Sequence, residues 1–196
     1  MITSLQKFIR CLLVPICFGG LPGIAEQGGV DSTYWDVVME RGGRIVADLG
    51  IEDEVRAARV QRIIAAFYAD LSRIQDQPEV AGSALQIEIE KTRRAFIGEL
   101  SAELTPDQVV MVKDGLTYGV VPVTLAAYRK MLPEMTPEES RQLEAWLIEA
   151  REYAIVAGSS HAKHGWFRKY KGKITNYLSQ RGYDLKKAEQ RLFQDD

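Results

Sequence analysis

The sequence predicts an all-α fold, a single compact, bundle-like domain of about six helices. Apolar residues recur at intervals of three and four along most of the chain, the spacing of one face of an α-helix. Thr-Pro pairs at Thr105 and Thr136 carry the residues of helix N-caps. Strands do not alternate regularly with helices, so we expect no parallel sheet.

The composition is that of one globular domain. The 196 residues are 46% hydrophobic and 27% charged, with a formal net charge of -2. A chain of this size and hydrophobicity can bury a core. Its nearly balanced charge gives no reason to expect nucleic acid or an anionic membrane as a partner. Composition does not indicate an oligomeric state.

The N-terminus has the features of a secretory signal peptide in the expected order: basic residues, an apolar run and small residues. Lys7 and Arg10 precede an apolar run that ends in small residues at Ala25. The run is short and rich in Gly and Pro, which does not suit a stable membrane span. We expect a signal peptide at 1–25, a helical domain at 26–196, and a periplasmic or secreted protein. A buried or membrane-anchoring N-terminal helix is the alternative.

No metal or other cofactor is expected. Cys11 and Cys17 both lie in the expected signal peptide, so the mature chain would have no disulfide, thiolate nucleophile or cysteine metal site. His161 and His164 are three residues apart and could share a helix face. No third ligand stands at a recognisable spacing from them, and lysines surround them. No phosphate-binding glycine loop is present.

The N-terminal half predicts three helices. The first has Asp31, Ser32 or Thr33 as its N-cap and Gly50 as its stop. The second carries the strongest apolar stripe and ends at Pro78. In the third, the stretch QIEIE would suit a strand by itself, but the flanking pattern is helical.

The helices of the C-terminal half are predicted from the residues that cap their N-termini. The sequences TPDQ, from Thr105, and TPEE, from Thr136, are capping boxes with Pro at the first helical position. Between these two helices, GVVPVTLAAYRKML is ambiguous, since its valines favour an extended segment and its alanines favour a short helix. Ser159 or Ser160 then caps a long helix, and Asp184 caps a short last one.

The long helix contains the densest run of basic and aromatic residues in the chain. One arc about 120° wide holds its large apolar residues, which predicts a core-facing stripe. They are Trp166, Phe167, Tyr170, Ile174, Tyr177 and Leu178. The basic residues are divided between faces, whereas nucleic-acid binding requires a continuous basic face.

One flank of this helix is a candidate ligand-binding surface. It combines ammonium and amide groups with a phenol, a set that suits the hydroxyls, carboxylate and ring face of a sugar or uronate. Its residues are Lys169, Lys173, Asn176, Tyr177 and Gln180. A solvated polar helix edge is the simpler interpretation.

A second candidate surface lies in the segment VKDGLTYG. Lys113, Asp114 and Tyr118 place polar and aromatic groups at a helix end, where they could line a ligand site. Gly115 and Gly119 in the same segment also indicate simple helix termination. Only the fold decides whether this segment meets the flank at 169–180.

Carboxylates leave open a glycan-active enzyme that uses an acid pair. The separation between the two carboxyl groups would decide the mechanism, and sequence does not give it. The candidates are Glu88, Glu90, Glu99, Glu103 and Asp114. For each of them, a solvated helix face is the more common role.

Three stretches of the chain carry a family resemblance: KYKGKITNYLSQRGYDLKK, LTPDQVVMVKDGLTYGVVPVTLAAYRKMLPEMTPEE and EAREYA. Together they resemble a secreted bacterial family, domain of unknown function 3826, and the likeness runs from Trp35 to Lys187. Members often carry Arg in place of Lys173 and Asn in place of Thr175. The family has a sugar-binding label and accompanies polysaccharide-degradation proteins, so the resemblance implies export and carbohydrate binding without assigning catalytic residues.

The leading hypothesis is therefore an exported, non-catalytic helical module that binds carbohydrate in polysaccharide utilisation. A periplasmic chaperone or stress protein is an alternative, because LTPDQ resembles a short motif of Spy-like helical chaperones. That motif covers five residues and is equally explained by helix capping. The glycan-active enzyme with a carboxylate pair is the other alternative.

Overall fold

The structure of the protein, a computed structural model, describes residues 32–77 and 81–194, with side chains to residue 191. The expected signal peptide at 1–25 lies outside the described residues. The all-α prediction is confirmed, because the described part contains helices and no strand. It contains eight helices: α1 Ser32–Ala47, α2 Glu54–Gln75, α3 Gly82–Glu103, α4 Pro106–Leu116, α5 Val120–Met131, α6 Pro137–Ala154, α7 Ser160–Gln180 and α8 Leu185–Gln194.

The described residues contain eight helices rather than the predicted six or so, and one of them, α5, forms in the segment that the sequence left ambiguous. Tyr118 and Gly119 both adopt positive φ, 61° and 65°, which ends α4 and turns the chain by 88° into α5. Val120 and Val121 begin α5 and are buried, so tertiary packing outweighs their preference for extended backbone. Pro122 lies in the first turn of α5, where a missing N–H is tolerated.

The predicted helix starts are confirmed by their hydrogen bonds. The Thr105 hydroxyl accepts the N–H of Gln108 at 3.3 Å, and the Thr136 hydroxyl accepts that of Glu139 at 3.2 Å, each within a complete capping box. Ser159 caps α7 by accepting the N–H of Ala162 at 3.1 Å. Each cap satisfies backbone donors that have no partner inside the helix.

The core consists of two hydrophobic clusters, one in each half of the chain. The first lies among α1 to α4, where the rings of Phe67 and Phe96 stack with centroids 3.9 Å apart. The second lies among α5 to α8 and includes Leu143, Leu147 and Ile174, all fully buried. Neighbouring helices along the chain pack against each other in both halves.

The end of α6 connects the two halves. Ile155 follows α6 directly and packs into the first cluster, whereas the buried apolar side chains of α6 itself lie in the second. Arg151 of α6 is only 5% exposed, and its guanidinium donates to the Asp114 carboxylate of α4 at 2.8 Å. Among the described residues, no single helix is long and apolar enough to span a membrane, and α4 with α5 meets that criterion only as a bent pair.

Candidate functional site

A cleft of about 420 Å³ lies where α1, α2, the α4–α5 turn and the start of α7 meet. We call it the α1–α7 cleft. Its volume is in the range of small-molecule sites. Its lining is mostly polar and cationic, and three tyrosines contribute to it. The lining includes Tyr34, Arg41, Arg44, Tyr68, Ser72, Gln75, Asp76, Tyr118, Ser159, Ser160 and Lys163.

Lys163 is the buried cation of this cleft. It is 5% exposed, and its ammonium donates to the carbonyl oxygen of Leu116 at 2.9 Å, at the end of α4. The ammonium also lies 5.2 Å from the centre of the Tyr68 ring. Burial, with a further contribution from the charge of Arg41, lowers the pKa of Lys163 to about 8. No carboxylate forms an ion pair with Lys163 among the residues that the structure describes.

Tyr118 forms the rim of the cleft in a strained backbone conformation. Its φ of 61° is one that non-glycine residues rarely adopt, and such residues concentrate at functional sites. The ring stacks on the imidazole of His164, with centroids 5.3 Å apart and planes 14° from parallel. Burial, followed by the charges of Lys171 and Arg168, lowers the pKa of His164, so the stacked imidazole is neutral at pH 7. Tyr118 is nevertheless 53% exposed, which leaves ring surface open to a ligand.

Tyr68 lies deeper in the cleft, and Tyr34 supports it. The Tyr34 hydroxyl donates to the backbone carbonyl of Tyr68 at 3.4 Å, which ties α1 to α2. Burial raises the pKa of Tyr68 to about 12, so its phenol remains protonated across the physiological range. A protonated phenol can donate one hydrogen bond and accept others.

The loop between α6 and α7 closes one side of the cleft through a close contact with α2. Gln75 donates from its side-chain amide to the carbonyl of Val156 at 3.0 Å. A side chain on Gly158 would overlap the amide oxygen of Gln75, so the Gln75 side chain would have to move and give up its contact with this loop. Ser159 follows at once and caps α7, and Lys163, in the first turn of α7, also lines the cleft.

The predicted segment at 113–118 is divided by the fold. Tyr118 lines the cleft, whereas Lys113 and Asp114 engage α6. The Lys113 ammonium donates to both carboxylate oxygens of Glu152, at 3.0 and 3.1 Å, and Asp114 accepts from Arg151. These two side chains therefore take part in an ion-pair network that connects the helices.

The predicted flank of α7 lies on a separate surface, which we call the aromatic ridge: Trp146 and Tyr153 of α6 with Trp166 and Tyr177 of α7. Tyr153 and Trp166 stack with centroids 4.6 Å apart, and Trp146 meets Tyr177 edge-on at 5.0 Å. The four rings are partly exposed, so the ridge combines packing with accessible aromatic surface.

Cations cover the faces of the ridge. The Lys169 ammonium lies 5.2 Å from the Trp166 ring centre, and the Lys173 ammonium lies 4.5 Å from the nearer ring centre of Trp146. Arg181 lies 3.7 Å from the centre of Tyr177. Asn176 and Gln180, the other predicted flank residues, are exposed. A sugar that stacked on these rings would first have to displace the cations.

Three of the candidate catalytic carboxylates are held by arginines. Glu90 accepts from Arg93 and Arg94, each at 2.7 Å, and these hydrogen bonds lower the pKa of Glu90 to about 2. Glu103 pairs with Arg59 at 2.9 Å, and Asp114 pairs with Arg151. The arginines lower the pKa of Glu90 and of Glu103, whereas a general acid must carry a proton near neutral pH.

The other two carboxylates, Glu88 and Glu99, line a second groove of about 270 Å³ between α2 and α3. Within the described ranges, no group of three or more His, Cys, Asp or Glu is arranged to hold a metal ion.

Sequence reasoning missed most of the cleft, but one signal for Lys163 was present. Lys163 precedes Phe167 by four residues and Tyr170 by seven, so it lies on the apolar stripe of α7, where a lysine is out of place. Arg41 and Tyr68 carry no such signal. They reach the cleft only because α1 and α2 pack beside the first turn of α7.

Fold and site define an all-helical protein with a cationic, tyrosine-lined surface cleft. Residues 79–195, more than half of the chain, match the family described as protein of unknown function DUF3826, and the chain belongs to that family. The match covers α3 to α8 and begins later than the likeness expected from Trp35. The helices α1 and α2, which supply Arg41 and Tyr68 to the cleft, precede it. No curated protein matches the chain.

Proposed function

We propose that the protein is an exported, non-catalytic module that binds carbohydrate, and that the sugar occupies the α1–α7 cleft. The observation that carries this proposal is the backbone conformation and exposure of Tyr118. Its backbone is held at a φ of 61°, and its half-exposed ring stands beside an open cleft. Strain of this kind costs of the order of 1 kcal/mol and persists where surrounding structure and function maintain it.

The cleft offers the groups that a sugar requires. An aromatic face packs against the C–H face of a pyranose ring, and Tyr118 presents such a face at the rim. Ser72, Gln75 and Ser160 place hydroxyl and amide groups on the walls, which can donate to and accept from sugar hydroxyls. The family resemblance implies the same class of ligand.

The aromatic ridge supports carbohydrate binding less directly. Lys173 and Lys169 cover its tryptophan faces, so a sugar would lose cation–π contacts as it gained stacking. The ridge has exposed amides at Asn176 and Gln180, and it remains the second place to look for the ligand.

A binding screen with matched variants tests the proposal. The purified full chain is applied to a glycan array, and hits are measured by isothermal titration calorimetry for the parent, Tyr118→Gly, Lys173→Ala and Asn176→Ala. Tyr118→Gly should weaken binding about tenfold through loss of stacking. The two ridge variants should bind like the parent.

Tyr118→Gly also separates binding from folding. The substitution relieves the strain of positive φ but loses the stack on His164, and each effect is about 1 kcal/mol. The free energy of unfolding in urea should therefore stay within about 1 kcal/mol of the parent. A loss of binding would then report on the site.

Other results would reject the proposal. Failure to bind any glycan would remove carbohydrate as the ligand. Loss of binding in Lys173→Ala alone would move the site to the ridge. Release of product from a polysaccharide, abolished by one carboxylate substitution, would make the protein an enzyme. Suppression of client aggregation in a light-scattering assay, without glycan binding, would favour the chaperone alternative.

A further inference from the structure

We infer that the α1–α7 cleft is an anion site, in which the ammonium of Lys163 binds an oxyanion carried by the ligand. Under the proposed function that group is the carboxylate of a uronic acid. The inference rests on the same cleft as the proposed function, but it holds for any ligand that presents a carboxylate, sulfate or phosphate there.

Lys163 is buried, and no carboxylate among the described residues compensates its charge. It is 5% exposed and its described hydrogen bond goes to a neutral carbonyl oxygen, so two of its three N–H donors are left for other partners. A buried ammonium without an acid partner is costly to maintain, and lysines rarely occupy such positions unless paired. An anion bound in the cleft would offset that cost.

The walls add positive charge. Arg41 approaches the same Tyr68 ring as Lys163, with its guanidinium carbon 6.0 Å from the ring centre. Arg44 also lines the cleft and makes a weak exposed pair with Glu40 at 3.8 Å. The carboxylate on the described walls is that of Asp76, which accepts from the Ser72 hydroxyl at 3.2 Å. Three cations against one carboxylate favour an anionic ligand.

The first turn of α7 reinforces this charge. Ser159 and Ser160 line the cleft at the N-terminus of a helix of 21 residues. The first backbone N–H groups of a helix have no partner within it, and the helix dipole favours an anion at this end. Lys163 lies on the same turn, so its charge and the N-terminus of α7 both favour an anion at the same end of the cleft.

A structural role for Lys163 is the competing explanation, because its ammonium also caps a carbonyl at the end of α4. Lys163→Met removes both the charge and the hydrogen bond to Leu116, so the two roles are told apart by two measurements: the free energy of unfolding reports the structural role, and the preference for an anionic over a neutral ligand reports the charge. Replacing a buried charge with an apolar group is often neutral or stabilising. The variant should therefore fold, and the ratio of its affinities for an anionic and a neutral ligand should report on the charge.

The experiment compares galacturonate with galactose, which differ at the C6 group, and includes inorganic sulfate and phosphate as probes of the anion alone. Calorimetry of the parent should show galacturonate binding at least about tenfold more tightly than galactose. Lys163→Met should abolish that preference, and Arg41→Met should reduce it. Lys163→Arg, which keeps the charge, and Lys169→Met, on the ridge, should retain it. Higher ionic strength should weaken the binding of galacturonate and leave the binding of galactose unchanged.

The outcomes separate this inference from the proposed function. Sulfate or phosphate binding that depends on Lys163, without binding of any sugar, supports the anion site and rejects carbohydrate. Equal affinity for galactose and galacturonate, unchanged in Lys163→Met, overturns the anion site and leaves carbohydrate binding intact. Failure of every anionic probe to bind the folded parent overturns the inference. If Lys163→Met does not fold, Arg41→Met is used instead. Full retention of the preference for galacturonate over galactose by Arg41→Met then overturns the inference.

Discussion

The position of Gly115 determines how closely α1 and α4 approach beside the cleft. A Cβ atom there would lie 2.9 and 3.0 Å from the two γ-carbons of Ile45, a core residue of α1. Contacts this short force neighbouring atoms to move. The sequence showed a glycine compatible with helix termination, whereas its partner, Ile45, is 70 positions away and was not identifiable from any local pattern.

We expect Gly115→Ala to destabilise the protein by about 1–3 kcal/mol through overpacking against Ile45. Gly98→Ala is the matched control, since nothing lies within 4 Å of the added carbon in the middle of α3. It should stabilise the protein by about 0.5–1 kcal/mol because alanine is the better helix former. Urea unfolding of both variants measures the difference. Equal stabilisation by the two would contradict the close approach of α1 and α4.

The start of α6 is stabilised both by its own capping box and by contacts with residues beyond the end of α7. The Thr136 capping box could be predicted, because Thr, Pro and Glu stand at the required spacing. The Glu139 carboxylate has a further role: it accepts the Tyr183 hydroxyl at 2.8 Å and pairs with Arg181 at 3.3 Å. This contact ties the end of α7 to the start of α6, and it depends on packing between residues far apart in sequence.

Glu139 should contribute stability at neutral pH that is lost in acid. Its pKa lies below the ordinary 4.5, first because it accepts the Thr136 N–H and then because of the Tyr183 and Thr136 hydroxyls. A carboxyl whose pKa is lower when folded stabilises the fold above its unfolded pKa and loses that contribution as pH falls through the folded value. Glu139→Gln should cost about 1–2 kcal/mol at pH 7.

Urea unfolding at pH 7 and pH 3 measures this effect. The difference between the parent and Glu139→Gln should shrink as pH falls below about 4.5. Glu138→Gln, at an exposed position in the same first turn, makes none of these contacts and should unfold like the parent at both pH values. A difference that stayed constant from pH 7 to pH 3 would exclude Glu139 from the acid response.

At the scale of the whole molecule, an ion-pair network joins the end of α6 to α3 and α4 and so connects the two hydrophobic clusters. Glu152 accepts from Lys113 of α4 and from Arg93 of α3, at 3.0 and 3.4 Å, while the neighbouring Arg151 pairs with Asp114. All of these helix contacts involve the end of α6, where Ile155 enters the first cluster. The two clusters should therefore unfold in one transition, since the boundary between them is bonded and packed.

Asp114→Asn should destabilise the whole molecule. It leaves the Arg151 guanidinium, 5% exposed, without its closest carboxylate, and removing one partner of a largely buried pair costs about 3 kcal/mol. Glu40→Gln is the control, because its pair with Arg44 is exposed and should be worth under about 0.5 kcal/mol. Urea unfolding followed by both far-UV and near-UV circular dichroism tests the two expectations. Separate transitions for the two signals would mean that the clusters unfold independently.

Most of the helices could be predicted from the order of amino acids, because the signals for a helix are local. A threonine cap acts on the N–H three residues later, and an apolar stripe repeats within each turn, so TPDQ, TPEE and the α7 stripe could be interpreted without knowledge of the fold. Burial overrode local preference at Val120 and Val121, so the segment that the sequence left ambiguous is a helix.

The surfaces where a ligand could bind depend instead on how the helices pack. Packing had three effects on the candidate site residues. It separated Tyr118 from Lys113 and Asp114, placed the flank of α7 on a ridge covered by cations, and brought Arg41 and Tyr68 beside Lys163. Helix formation depends on neighbours within four residues, whereas a cleft depends on the angles at which distant helices pack. One sequence feature did point to the cleft, a lysine on the apolar face of α7, and packing buried its ammonium where no described carboxylate pairs with it.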